Sequence, residues 1–201
     1  MLKPKDILDF WFGPLSGDGM PAKEKQAQWF STSKQTDQWI RRRFQSFVML
    51  ASENGLPHWE ETPEGRLAMI LLLDQFSRNI YRGLELAFSN DRQALALCLD
   101  GLNKGMDVNL PLVQRAFFYM PLQHSERRQD QQRSVELFEQ LHATGEGAVK
   151  ELLKGFLDYA REHREIVERF GRFPHRNGVL KRPSTEAEIA YLNEGAPRYG
   201  Q

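Results

Sequence analysis

Apolar residues recur at three-to-four spacing along most of this 201-residue chain, and no stretch alternates polar with apolar residues between turn formers as a half-buried strand would. That pattern restricts the fold to the all-α class, because a helix stripe and a strand face have different periods. Helix breakers and caps then divide the chain. The pattern predicts helices over Pro4 to Phe12, ended by Gly13-Pro14, over Ala22 to Phe30, and over Asp37 to Glu53. In the third, Ile40, Phe44, Phe47, Val48 and Ala51 form the apolar stripe, and Arg41, Arg42 and Arg43 fall on a solvated face. Thr62 is placed to cap a helix from Pro63 to about Asn79, and Asn90 or Ser89 to cap one reaching Lys104 before Gly105. Pro111 opens a helix that Pro121 closes after Met120. Ser125 or Glu126 begins another that runs to His142. A long helix from Ala148 to Phe170 stops at Gly171, and Ser184 caps the last short one.

Eight or nine helices on short loops predict an α-solenoid or bundle of antiparallel pairs, in one domain covering residues 1–201. No 34-residue self-similarity is legible. With 40% hydrophobic and 27% charged residues, the composition is that of a globular protein with a real core. Lys+Arg and Asp+Glu both number 27, so no global field recruits nucleic acid or an anionic membrane. The one cysteine, Cys98, lies in the apolar run ALALCLDGL, which predicts a buried, inert thiol and fits a reducing cytoplasm. The opening MLKPKDILDFWF lacks the apolar core of a signal peptide, and no segment approaches the roughly 20 apolar residues that span a bilayer.

Four polar clusters are candidates for chemistry. In LAMILLLDQFSRNIYRG, an apolar helix turns polar at Asp74, Gln75, Arg78, Asn79 and Arg82, and Asp74 continues the stripe of Leu67, Ile70 and Leu71. A carboxylate on that stripe is expected to be buried and paired, with Arg78 four residues on as one partner. The segment RFGRFPHRNGVLKR gathers Arg169, Arg172, His175, Arg176, Lys181 and Arg182 without an acid, which suits carboxylate or phosphate recognition by guanidinium forks. Helix-end capping explains Arg169 and Arg172 equally well. A third cluster sets His124 just before Ser125 and Glu126; upstream of it, Arg115 faces inward and needs a carboxylate, with Asp74 a candidate. Finally, His163 lies on an apolar stripe with Phe156, Ala160, Val167 and Phe170, and could flank one pocket with His175. The sequence holds no HExxH, CxxC, GxxxxGK[ST], GxSxG or strand-linked GxGxxG, so no metal or nucleotide cofactor is expected.

These same motifs are similar to those of a bacterial family catalogued as a domain of unknown function, DUF924. The resemblance lies in DILDFWFG, LLLDQFSRNIYRG with Ala87, Phe88 and Asp91 following, RAFFYMPLQHSE, RSVELFEQL, and His163 with RFGRFPHRN. It implies a TPR-like all-helical fold and one shared site. Asp74, Gln75, Arg78 and Asn79 fall on the family's DQFxRN motif; His124, Ser125 and Glu126 on its HSE motif; His163, Arg169, Arg172, His175, Arg176 and Asn177 on its C-terminal signature. This chain has Ser77 where the family leads one to expect proline, Gln123 and Arg127 in place of acids, and Lys181 in place of glycine.

Three readings follow. In the first, the protein is a small-molecule site, or an enzyme of hydrolase or transferase type, with His163 or His175 exchanging protons and Asp74 orienting a partner. Gln75, Arg78, Asn79, Arg115, His124, Glu126, Arg172, Arg176 and Asn177 would then hold an anionic ligand. In the second, a TPR-like face binds an acidic peptide. In the third, the same charges form a structural network and nothing more. The residues leave the reaction and the oligomeric state open.

Overall fold

The computed structural model describes residues 2–30, 32–196 and 199. No strand occurs among them, as the periodicity predicts. Helix α1 is Pro4–Phe12, α2 Lys23–Phe30 and α3 Lys34–Ser52. The α1 helix opens on a proline, and the Asp6 carboxylate accepts the Lys3 N–H at 2.7 Å, so an otherwise orphaned donor at its start is satisfied. Its Ile7, Leu8, Trp11 and Phe12 all point into the core. The α3 helix begins earlier than the apolar stripe suggests, because the Ser33 hydroxyl caps it by accepting from Thr36 N–H.

The central rod consists of α4 (Pro63–Ile70), a π-helical stretch at Leu71–Phe76 and α5 (Ser77–Ile80). Thr62 caps it by accepting from Gly65 N–H at 3.1 Å. Every side chain from Leu67 to Leu73 is fully buried, which is why this segment is apolar on all faces. α3 and α1 pack on it from one side, and α6 (Asp91–Asn103) and α7 (Leu112–Gln123) from the other. α8 (Arg128–Thr144) and α9 (Gly147–Phe170) lie side by side after a short connection that forces the chain to reverse. A short α10 (Glu186–Asn193) ends the described fold. No helix among the described residues is long and apolar enough to cross a membrane.

Three further boundaries differ from the sequence reading, each for a local reason. Pro121 does not close α7, which continues to Gln123. The proline removes one N–H from the last turn, but Met120 O still accepts the His124 N–H at 2.9 Å and the surrounding turn is buried. α8 does not start at Ser125 or Glu126. The buried Gln131 amide donates back to the carbonyls of Gln123 and Ser125, each at 2.6 Å, and holds 124–127 as a tight turn before the helix. Thr185 rather than Ser184 caps α10, in a capping box with Glu188. Lys181, where glycine was expected, stands at φ 53, in the left-handed region that favours glycine. Cys98 is fully buried, and burial pushes its thiol well up.

Candidate functional site

The π-helical stretch governs the site. An extra residue in one turn rotates the helix locally, and such bulges are frequent where function needs a side chain re-aimed. Here the turn contains Asp74 and Gln75, and Asp74 is 1% exposed. Its carboxylate accepts from Arg78 Nη1 at 2.9 Å, from His124 Nδ1 at 2.7 Å and from the Gln75 amide. Burial pushes the Asp74 carboxyl up, but Arg78 and His124 outweigh it and hold it well below the usual carboxylate range. The acid is therefore ionised, and His124 must present its Nδ1–H to it. His124 stands at the C-terminal end of α7, fixed in place by the turn that Gln131 secures. With Nδ1 occupied, its Nε2 is left as an acceptor.

Beside this pair lies a cavity of about 200 Å³. Its polar wall contains Gln75, Arg78, Asn79, Gln123, His124, His163, His175 and Arg176, and its aromatic wall Trp29, Phe30, Phe156, Tyr159 and Tyr199. α9 supplies His163, which is 4% exposed and whose Nδ1–H donates to Tyr159 O at 2.8 Å, so its Nε2 is also left as an acceptor. Burial first, and then the neighbouring His124, depress its pKa well below the usual value. His175 is likewise depressed, to about 3, by burial and by Arg176. His124 is lowered by burial and Arg78 despite Asp74. All three imidazoles are neutral at pH 7.

The two guanidinium groups of the pocket are not alike. Arg78 donates to both oxygens of Asp91, at 2.8 and 3.0 Å, and pairs with Asp74 as well. Those two acids raise its pKa over the opposing effect of burial. Arg176 is 6% exposed and lies over the Phe88 and Phe173 rings at 4.7 and 4.5 Å. Among the described residues its one ion pair is a long one, 3.4 Å to Asp91, and its buried Nε has no partner. Burial and the nearby Arg78 pull its pKa down to about 10, so it stays charged at neutral pH. A buried charge with spare donors is costly unless something fills them.

Of the candidates from sequence, the structure brings Gln75, Arg78, Asn79, His124, His163, His175 and Arg176 to this one cavity. Asp74 sits directly behind it. Four candidates lie elsewhere. Arg115 does not meet Asp74; it faces Asp107 at 3.5 Å and the Tyr119 hydroxyl at 3.1 Å, because the nearer acid on its own side of α7 is Asp107. Arg172 is outside the pocket and clamps both oxygens of Glu188 at 2.7 and 2.8 Å, fastening α10. Asn177 belongs to the same fastening, donating to Ser184 Oγ at 3.1 Å. Glu126 accepts from Arg182 at 2.7 and 2.9 Å and from Phe173 N–H at 2.8 Å, so it ties down the C-terminal loop. Sequence reasoning missed the aromatic wall: Phe156 carried a stripe signal only, and Trp29, Phe30, Tyr159 and Tyr199 carried none. It also missed Asp37, which accepts from Asn79 at 2.9 Å and from Arg82 at 2.7 Å and so positions that edge of the pocket.

Fold and site together define an all-helical protein with a charged, half-aromatic pocket built where a π-distorted central helix meets two others. The chain belongs to the family described as bacterial protein of unknown function (DUF924), whose pattern matches residues 7–196. It is similar to a solved protein of unknown function, ATU0120 from Agrobacterium tumefaciens, at 37% identity and a TM-score of 0.81 over 96% of this chain and 97% of that one. No curated protein matches it.

Proposed function

We propose that the protein binds a small anionic metabolite in this pocket, with Arg176 as the anion anchor and the aromatic wall holding the ligand's apolar part. The observation that carries this reading is the Arg176 guanidinium: buried, charged, lining the cavity, and held among the described residues by a single long ion pair of 3.4 Å to Asp91. A carboxylate or phosphate oxygen is the natural complement to such a fork. A cavity of about 200 Å³ closed on two sides by polar and aromatic walls suits a small molecule better than an extended peptide. Arg78 supports the site indirectly, since its bonds to Asp74 and Asp91 are already made.

The test is thermal unfolding of wild type and Arg176→Met against carboxylates, phosphates and acidic peptides. A ligand at about 100 times its dissociation constant adds roughly 2.7 kcal/mol, which shifts the midpoint by several degrees in a chain of this size. A small carboxylate or phosphate should stabilise the wild type and leave the variant unmoved. Stabilisation only by long acidic peptides would contradict the reading. An enzymatic role is the second reading, favoured by the Asp74–His124 hydrogen bond, and the cytoplasm, where the lone buried thiol would stay reduced, is the compartment we assign.

A further inference from the structure

A second cavity, of about 520 Å³, lies against the first. Its walls include Leu95, Leu99, Pro121 and Glu126, and it shares two residues with the first: His124 and Arg176. Those two side chains line both cavities. A ligand with one half on each side would therefore place its central bond against an imidazole and a guanidinium.

We propose that the protein is a hydrolase of small esters or amides, in which His124, held by Asp74, activates water against the acyl carbon while the two halves of the substrate occupy the two cavities. This rests on the anion-binding reading, because the carboxylate released is the anion that Arg176 retains. The geometry supplies the parts. Asp74 fixes the His124 ring through Nδ1 at 2.7 Å and leaves Nε2 as the base. Arg176 lines both cavities, and its guanidinium, whose ion pair to Asp91 is a long 3.4 Å, is the donor for a developing oxyanion. Among the described residues no serine, threonine, cysteine or lysine lines the first cavity, and the Ser125 hydroxyl in the second donates to Asp130 at 2.6 Å, so water is the attacking group in this proposal.

In the step, a water proton passes to His124 Nε2 as the water oxygen bonds to the acyl carbon. The carbonyl electrons move onto oxygen, which Arg176 holds. Collapse breaks the bond to the leaving oxygen or nitrogen, and that atom takes the proton from the imidazolium. The products are a carboxylate, an alcohol or amine, and the proton released by the acid. The charged and titratable groups around His124 are Asp74 and Arg78 on the central rod, Asp91 on α6, His163 on α9, and His175 and Arg176 in the C-terminal loop. Of these, the carboxylates raise the His124 pKa, and Arg78 lowers it.

The experiment uses p-nitrophenyl acetate, butyrate and benzoate with wild type, His124→Asn, Asp74→Asn and His124→Gly. The asparagine at 124 keeps a donor toward Asp74 while removing the base. At least one ester should be hydrolysed by the wild type, with kcat about 100-fold lower in His124→Asn, KM nearly unchanged, and partial recovery of His124→Gly by added imidazole. Asp74→Asn should lose 10-fold or more. Butyrate and benzoate binding is measured in parallel by calorimetry on the wild type and His124→Asn. If the carboxylates bind but no ester turns over faster than with His124→Asn, the hydrolase assignment fails and the binding site stands. If no carboxylate binds and no ester is cleaved, both fail.

Discussion

His124 Nδ1 lies 2.7 Å from Asp74 Oδ1, across fifty residues of sequence, and that bond joins the π-distorted turn of the central rod to the end of α7. Because Asp74 is also paired with Arg78, removing it strands an imidazole N–H and one side of a buried guanidinium. Asp74→Ala should cost about 3–5 kcal/mol of stability, the range for stranding one partner of a buried pair, as read by denaturant unfolding. Asp74→Asn keeps an acceptor for both and should cost clearly less. Equal, small losses for the two would contradict a buried network at this position.

The three pocket histidines give stability a defined slope with pH. Each has a folded pKa below the unfolded value of about 6.5, so below that pH the unfolded chain takes up protons that the folded chain does not. Stability is therefore full above about pH 6.5 and falls as pH drops toward about 3, where His175 itself titrates in the fold. For His175 the loss approaches about 1.4 kcal/mol per pH unit between the unfolded value and about 3, and His124 and His163 act in the same direction. Thermal midpoints between pH 8 and 5 should fall accordingly, and His175→Phe should flatten the curve. An unchanged slope in that variant would show that His175 is not buried neutral.

Arg172 and Glu188 act as a clasp, not as a ligand site. The Arg172 hydrogen bonds draw the Glu188 carboxyl down to about 2, so the clasp holds above the unfolded value of about 4.3 and is lost as pH falls through about 2. Arg172→Ala should raise hydrogen exchange throughout α10 at neutral pH while leaving ligand affinity within about threefold. A large loss of affinity would return Arg172 to the pocket.

Gly65 lies where the helix start passes over the preceding loop, and a Cβ there would run into the Trp59 carbonyl oxygen. The neighbouring backbone is fixed by the Thr62 cap, so it has little room to yield. Gly65→Ala should destabilise by about 1–3 kcal/mol, the usual cost of overpacking, despite alanine's better helix propensity. A stabilised Gly65→Ala would mean that the loop can shift away.

The fold was legible because helical periodicity and caps are local. Thr62, Gly105 and Gly171 do at their termini what their chemistry suggests. Boundaries went astray where a distant group decided them, as when the Gln131 amide holds the turn before α8. Within the site, the motif at Asp74 to Asn79 signalled itself, since a charge on an apolar stripe has to be paired. The division of labour among the arginines was not legible. Arg172 and Arg176 are four residues apart and chemically identical, and only the folded chain sets one on Glu188 and the other over Phe88 beside the cavity. The aromatic wall was invisible for the same reason: Trp29 and Phe156 meet through tertiary packing, their ring centroids 6.2 Å apart, and a lone aromatic on a helix face reads as core.

The most direct measurement is a calorimetric titration of benzoate, butyrate and inorganic phosphate into the wild type and into Arg176→Met. The volume-conserving methionine keeps the contact with Phe88 and Phe173 and removes an under-partnered buried charge, so the variant should fold at least as stably as the wild type. One of these anions should bind the wild type and lose about 30-fold or more in affinity in Arg176→Met, consistent with about 2 kcal/mol for a hydrogen bond to a charged group. Equal affinity in the two proteins, or a variant that binds nothing because it has unfolded, would contradict the assignment of Arg176 as the anion anchor.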